Sequence, residues 1–154
     1  MLKRADAIDV DGIVSFESDV MDQRLYGQPL DHAAALAEVR GNQYFLYLRR
    51  ERIVATGAWR RRDGGAAYLS NIAVRPELRR QGLARAMMLH LLSCCGDAVS
   101  IDLAVHPDNG AARSLYASLG FDPSNREENF FGDGEPRLIM VRSPINGSRS
   151  RRAQ

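Results

Sequence analysis

Apolar positions along this chain fall into short runs and spaced stripes, and the change from one to the other marks its elements. Met1 to Ala5 reads as a short strand, and Asp6 to Val20 as an amphipathic helix with Ile8, Ile13, Val14 and Phe16 on its apolar side. Gly27-Gln28-Pro29 breaks the chain, Asp31 caps a second helix through Arg40, and Gly41-Asn42 stops it. Tyr44 to Leu48 and Ile53 to Trp59 are strand-like, separated by a turn at Arg50-Glu51-Arg52. Asp63-Gly64-Gly65 is the clearest hairpin signal and leads into a strand from Tyr68 to Val74.

Beyond Pro76 the rhythm changes. Leu83, Met87 and Leu91 share one helical face and predict a helix over Gly82–Cys94. Ile101, Leu103 and Val105 alternate with Asp102 and Ala104, the period of a strand over Val99–Val105. A turn at His106–Gly110 follows, then a helix over Ala111–Leu119 closed by Gly120 and a strand from Phe121. A loop through Gly132-Asp133-Gly134 and a last strand over Arg137–Val141 complete the pattern. The order βααβββαβαββ predicts an α/β (α+β) fold, a mixed and mostly antiparallel sheet flanked by helices. Its strand–helix–strand unit over 68–105 calls for a parallel pairing. Residues 1–142 are expected to form one domain, and the Gly/Ser/Arg-rich stretch 143–154 a disordered tail.

Composition narrows the partners more than the fold. With 45% apolar and 26% charged residues, the chain has the make-up of a soluble globular domain. The formal net charge is +2, but Arg149, Arg151 and Arg152 lie at the very end. Without them the balance is 2 − 3 = −1, so nucleic acid is not expected as a partner. Lys3 is the single lysine; every other basic residue is arginine. Cys94 and Cys95 are adjacent in a helical pattern, so they cannot staple the fold, and no metal site is expected. No apolar run approaches a membrane span and no leader pattern stands at Met1, so a cytoplasmic setting without a membrane partner is the expectation.

The chemistry concentrates in Ile72–Arg85. An apolar run stops at Pro76, a basic turn follows, and Gly82 and Ala84 open the helix. The first N–H groups of a helix have no partner within it, and with the positive end of the helix dipole they suit a phosphate or pyrophosphate. A P-loop needs G-x-x-x-x-G-K-[ST] and a dinucleotide fingerprint needs G-x-G-x-x-G; neither stands here. The turn reads instead Arg79-Arg80-Gln81-Gly82-Leu83-Ala84, an R-x-x-G-x-A pattern. Further on, Asn109, Ala112, Leu115, Tyr116 and Leu119-Gly120-Phe121 follow N-x-x-A-x-x-L-Y-x-x-L-G-F.

In this order and spacing the two stretches resemble the acyl-CoA-binding motifs of the GNAT N-acetyltransferase superfamily, over roughly residues 1–142. The nearest likeness is to ribosomal-protein alanine N-acetyltransferases, carried also by Asn71-Ile72-Ala73-Val74 and by Glu128-Asn129-Phe130-Phe131 ahead of Asp133-Gly134. The resemblance implies acetyl-CoA as cosubstrate and direct attack of a neutral amine on the thioester, which leaves the cysteines without a nucleophilic role. It implies that backbone groups of Ile72, Ala73 and Val74 pair with the pantetheine arm, the Val74 N–H donating to the thioester oxygen. Arg80, Gln81, Gly82, Leu83, Ala84 and Arg85 would cradle the pyrophosphate through their N–H groups, Arg79 and Arg80 adding charge. Asn109 would bond the pantetheine or cap its own helix, and Tyr116 would protonate the leaving thiolate.

The general base departs from the family pattern. Ala104 stands five residues before Asn109, and Tyr68 four before Ile72, where relatives carry Glu or His. Tyr68 is a candidate for the acceptor side. Asp102, on the same side of its strand as Ala104 and roughly 6.6 Å along it, is the remaining candidate, acting through water. An α-amine is about one-seventh neutral at pH 7, a lysine only about one part in 2,500, which favours an α-amine acceptor. Phe130 and Phe131 replace a Tyr-Tyr pair and take two hydroxyls from the acceptor side. Three readings stand open, each for a monomer or homodimer: acetylation of a protein N-terminus, acetylation of a small amine, and a non-catalytic acyl-CoA sensor.

Overall fold

The chain begins, in the computed structural model, with β1 (Leu2–Arg4), which pairs antiparallel with β2 (Gln43–Arg49). Residues 1–143 are described, so apart from Ser143 the expected tail lies outside the described residues. They divide into two units: 1–60 with 69–94, and 61–68 with the residues from 95 onward.

In the first unit, Asp6 and Asp9 form a capping box around a 3₁₀ turn, Ala7–Asp9, and Lys3 reaches Asp9 at 3.1 Å. The turn displaces Ile8 from the stripe of α1 (Val10–Val20), and Ile8 is 84% exposed, contrary to its expected place on the apolar side. The buried stripe is Val10, Ile13, Phe16, Glu17 and Val20. A short helix absent from the sequence reading, α2 (Gln23–Tyr26), is capped by Asp22 and ended by Gly27. Asp31 accepts from the Ala34 N–H at 2.8 Å and starts α3 (His32–Gly41), as its sequence position predicts.

β2 pairs antiparallel with β3 (Arg52–Arg61), with Phe45 opposite Gly57. Arg50 and Glu51 make the turn between them with positive φ at both residues and no glycine. β4 (Ala67–Val74) follows the Asp63–Gly65 turn and runs through both units. Its α1 side carries Ala73 with Phe16 and Val20; its other side carries Val74 with Val54, Ala55 and Leu83. The last of these opens α4 (Leu83–Cys94), which buries Leu83, Met87, Met88 and Leu91.

The second unit holds β5 (Ile101–Val105), α5 (Gly110–Ser118), β6 (Asp122–Glu127) and β7 (Arg137–Arg142). β7 lies between β5 and β6, antiparallel to both. Val99 donates to Gly65 O and Ala67 to Ser100 O, pairs whose numbers rise together as in parallel strands. β5 begins later than the apolar pattern implies, because Val99 is 58% exposed and belongs to the connection. Seven strands in the order β1-β2-β3-β4-β5-β7-β6, mostly antiparallel and joined by helices, make the mixed fold that the element order predicts.

Helix α4 sits against β3 at a residue with no side chain. A Cβ on Gly57 would lie 2.4 Å from Met87 Cγ and 2.7 Å from its Sδ, and Met87 is 1% exposed. Gly57→Ala therefore forces α4 or Met87 to move, and is expected to cost about 1–3 kcal/mol, read as a lower urea midpoint at unchanged slope.

Candidate functional site

The turn after β4 is built to present backbone. Arg75 N–H bonds Val54 O at 3.0 Å and Leu78 N–H returns to Arg75 O at 2.9 Å, closing a 3₁₀ turn over Pro76–Leu78. Arg80 then takes φ +66° and Gly82 φ +82° before α4 starts at Leu83. A left-handed arginine is uncommon, and such backbone persists where the surroundings over-determine it. Nothing lies within 4 Å of the place a Gly82 Cβ would take, so the space in front of the turn is open and the positive φ explains the glycine. Arg79, Arg80, Gln81 and Arg85 are exposed around it, while Leu83 is buried and anchors the helix. The first N–H groups of a helix have no acceptor inside it, and at the start of α4, beside the arginines, such groups suit an anionic phosphate chain.

Just ahead of this turn, β4 carries polar residues into the interior. Asn71 Nδ2 donates to the Tyr44 hydroxyl at 2.9 Å, and the Thr56 hydroxyl donates to Asn71 Oδ1 at 3.2 Å. Glu17, 3% exposed on α1, accepts from the Leu30 N–H at 3.4 Å through Oε1. Its other oxygen, Oε2, is buried without a partner. Burial raises the Glu17 carboxyl to about 7; the hydrogen bonds from Leu30 and Asn71 oppose this, and the like charge of Glu38 adds to it. Burial also raises the Tyr44 phenol, helped by the charge of Glu17. Ser70 donates to Asn42 Oδ1 at 3.2 Å, and Asn42 in turn donates to Glu38, whose carboxyl burial likewise raises.

In the second unit, Arg62 joins two of the residues singled out from the sequence. Its Nη1 donates to Asp102 Oδ2 at 2.8 Å, and its guanidinium carbon lies 4.2 Å from the centre of the Tyr68 ring. Tyr68 is buried, and Asp102 is committed to a cation. Asn109 accepts from the Ala112 N–H at 3.3 Å and caps α5. Tyr116 is 7% exposed on that helix, its ring 6.2 Å from Phe121. His106, just past β5, is buried. Its Nδ1 accepts from the Asp108 N–H at 3.0 Å, so Nε2 carries the proton donated to Glu135 at 2.6 Å.

Phe130 and Phe131 lie in a loop tightly tied at its base. Asn129 Oδ1 accepts from the Gly134 N–H at 2.6 Å, and Arg137, 1% exposed, donates to Asp133 at 3.2 Å. The Glu135 N–H and Arg137 hold the Asp133 carboxyl below its usual range. The rings pack edge to face at 4.9 Å, and Arg137 lies 4.9 Å from Phe131, yet Phe130 and Phe131 remain 36% and 53% exposed. They are offered outward. Cys94 ends α4 with its sulfur 3.6 Å from His90 Nε2, Cys95 is buried, and neither is in a disulfide. Among the described residues no group of three metal-ligating side chains gathers, and no helix is long and apolar enough to cross a membrane.

Glu17, Arg62, Arg75, His106 and Arg137 are the polar residues whose structural importance the motifs did not disclose. Only Glu17 left a signal: it stands four residues after Ile13 and three before Val20, on the apolar stripe of a helix.

The acetyltransferase (GNAT) family model matches residues 13–121. The [ribosomal protein bS18]-alanine N-acetyltransferase of Escherichia coli (strain K12) is 38% identical over 84 residues, 52% of this chain and 57% of that protein. The chain thus spans little more than half the length of that curated relative. The crystal structure of the ribosomal-protein-S18-alanine N-acetyltransferase from Escherichia coli superposes with a TM-score of 0.76 at 26% identity, over 93% of this chain and 92% of that one. Ard1 from Thermoplasma volcanium shares the fold with a TM-score of 0.80 at 20% identity, over 94% and 97%.

The Glu17 carboxyl also makes a prediction for stability. Its folded value, about 7, lies above the ordinary 4.5, so between those values the folded chain binds more protons than the unfolded one. Stability from this group is full below 4.5 and is lost as pH rises through about 7. Glu17→Gln does not titrate. Relative to the variant, the native chain should lose about 3 kcal/mol between pH 4.5 and 8, measured by urea unfolding of both proteins across that range.

Proposed function

Since the chain belongs to the acetyltransferase (GNAT) family, we propose that it transfers the acetyl group of acetyl-CoA to a primary amine, with the α-amine of a protein N-terminus as acceptor. The observation that carries this reading is the turn at Arg79–Arg85: two positive-φ residues and exposed arginines where α4 starts. They suit the pyrophosphate of coenzyme A. Ile72, Ala73 and Val74 pair with the pantetheine arm, and the Val74 N–H steadies the oxygen on which charge develops as the amine attacks. The neutral amine nitrogen forms a bond to the thioester carbon, the C–S bond breaks, Tyr116 gives its proton to the departing thiolate, and the proton shed by the nitrogen passes to solvent, from which the phenol is restored. Asn109 holds the arm while it caps α5.

An α-amine suits this chain better than a lysine. Asp102 is held by Arg62, and Ala104 offers no base, so an amine that is already partly neutral gains most. The name of the Escherichia coli relative points to an alanine N-terminus as one acceptor of this class. Phe130 and Phe131 are exposed at the tip of a tied loop, and they suit an apolar first side chain.

An acceptor panel of N-terminal peptides and small amines, read by release of CoA, tests the proposal. Transfer to peptide α-amines is the expected result; transfer confined to small amines would replace the acceptor class, and CoA binding with no transfer to any amine would make the chain a sensor. Tyr116→Phe is expected to lower kcat by about 100-fold or more while CoA affinity holds. Gly82→Ala is expected to weaken CoA binding, measured by calorimetry, because alanine resists φ +82° at the pyrophosphate turn.

A further inference from the structure

The end of α4 carries a nucleophile and a base that the proposed reaction does not use. His90 and Cys94 stand four residues apart on the helix, a spacing that puts their side chains on one face. Cys94 Sγ lies 3.6 Å from His90 Nε2, within reach of a hydrogen bond to sulfur. The imidazole also packs against Phe45 on β2, the two rings edge to face with their centres 4.5 Å apart, and Phe45 is buried. That contact restrains the ring with Nε2 beside the sulfur. A weak nucleophile within hydrogen-bond reach of a base, with a third group orienting the base, is the arrangement that activates thiols and hydroxyls.

The neighbouring sulfur is the reverse case. Cys95 is 1% exposed, whereas Cys94 is half-buried, and neither is in a disulfide. Of two adjacent cysteines, the one that meets solvent is therefore the one beside an imidazole. The C-terminal end of a helix disfavours a lone thiolate but not a thiolate paired with an imidazolium, so the pair depends on His90. Asp97, the next carboxylate along the chain, is committed to Arg61 at 3.0 Å. The helix is 12 residues long, which sets Cys94 about 18 Å from its first turn and from the phosphate chemistry there.

We infer that Cys94 and His90 form a thiol–disulfide exchange site for a low-molecular-weight disulfide. His90 Nε2 takes the thiol proton as Cys94 Sγ attacks one sulfur of the disulfide. A new S–S bond forms to Cys94, the old S–S bond breaks, and the departing thiolate receives the proton held on His90. Cys94 is oxidised and the departing sulfur is reduced, so the step needs no other oxidant. Its products are a mixed disulfide at the end of α4 and one small free thiol. Cys95, buried next to it, takes no part.

Dithiodipyridine, a neutral disulfide whose released thiopyridone is followed by absorbance, tests the inference on the full native chain. The fast phase of release should map by peptide mass to an adduct on Cys94, and Cys94→Ser should remove it. His90→Phe keeps a ring against Phe45 but has no nitrogen, and His90→Gln keeps a polar group without a base. Each should slow the reaction about tenfold at about pH 7. The deficit should close above about pH 10, where a thiol ionises unaided. An adduct first formed on Cys95, or His90 variants that match the native rate at neutral pH, overturns the inference. Equal slowing at every pH overturns it as well, because His90 then acts only through packing. Should neither variant fold, the native pH profile decides alone. The rate of an unaided thiol falls about 30-fold from pH 10 to pH 7; a native fall of less than about tenfold supports the pair, and a fall as large as the unaided one overturns it.

Discussion

Arg75 cannot shed its charge, yet it is 7% exposed directly after the end of β4, so partners have to meet it there. Its Nε donates to Ile53 O at 2.7 Å, Nη1 to Asp19 at 3.2 Å, and the Phe16 ring lies 5.2 Å from the guanidinium carbon. One side chain thus joins α1, β3 and the end of β4. Its backbone does as much, since its N–H bonds Val54 and its carbonyl closes the next turn. These bonds decide where the strand stops and the direction in which the chain leaves it. The unusual φ values of Arg80 and Gly82, and the open first turn of α4, are downstream of that decision.

The two sides of β4 meet different company. Toward α4 they are apolar, with Val74 among Val54, Ala55 and Leu83, and the helix comes close enough to β3 to require Gly57. Toward α1 the same strand places Asn71 beside Glu17, Tyr44 and Thr56. Buried polar groups contribute little net stability and restrict the arrangements a core can adopt. The apolar side accordingly carries the burial that holds the first unit together, and the α1 side carries geometry that depends on hydrogen bonds.

What could be read in the sequence was what arises from near neighbours. The stripe Leu83, Met87, Leu91 produced α4, the alternation Ile101, Leu103, Val105 produced β5, and Asp31 and Asn109 cap the helices their positions suggest. The glycine of R-x-x-G-x-A stands where the backbone needs it, at φ +82°. Lost to sequence were features made by distant partners: Arg75 meets Asp19 across 56 residues, His106 meets Glu135 across 29, and Arg62 meets Asp102 across 40. Asp102 accordingly looked like a free carboxylate on an alternating strand until its cation was seen. α2 was missed for a different reason, because four residues held by an Asp22 cap contain no apolar period to detect.

The ion pair between Lys3 and Asp9 has a consequence at the bench. Lys3 is the single lysine of these 154 residues, and it stands on β1, held at 3.1 Å by the capping carboxylate of the first turn. Arginine guanidinium is not an acyl acceptor under ordinary conditions. Activated esters, aldehydes and free acetyl-CoA therefore find one side-chain amine in this sequence, and it belongs to an edge strand, not to the turn around Gly82. A dye or a surface attached through that amine marks the protein at a single known point. An acetyl group found on a side-chain amine can likewise be assigned to that residue without sequencing the rest.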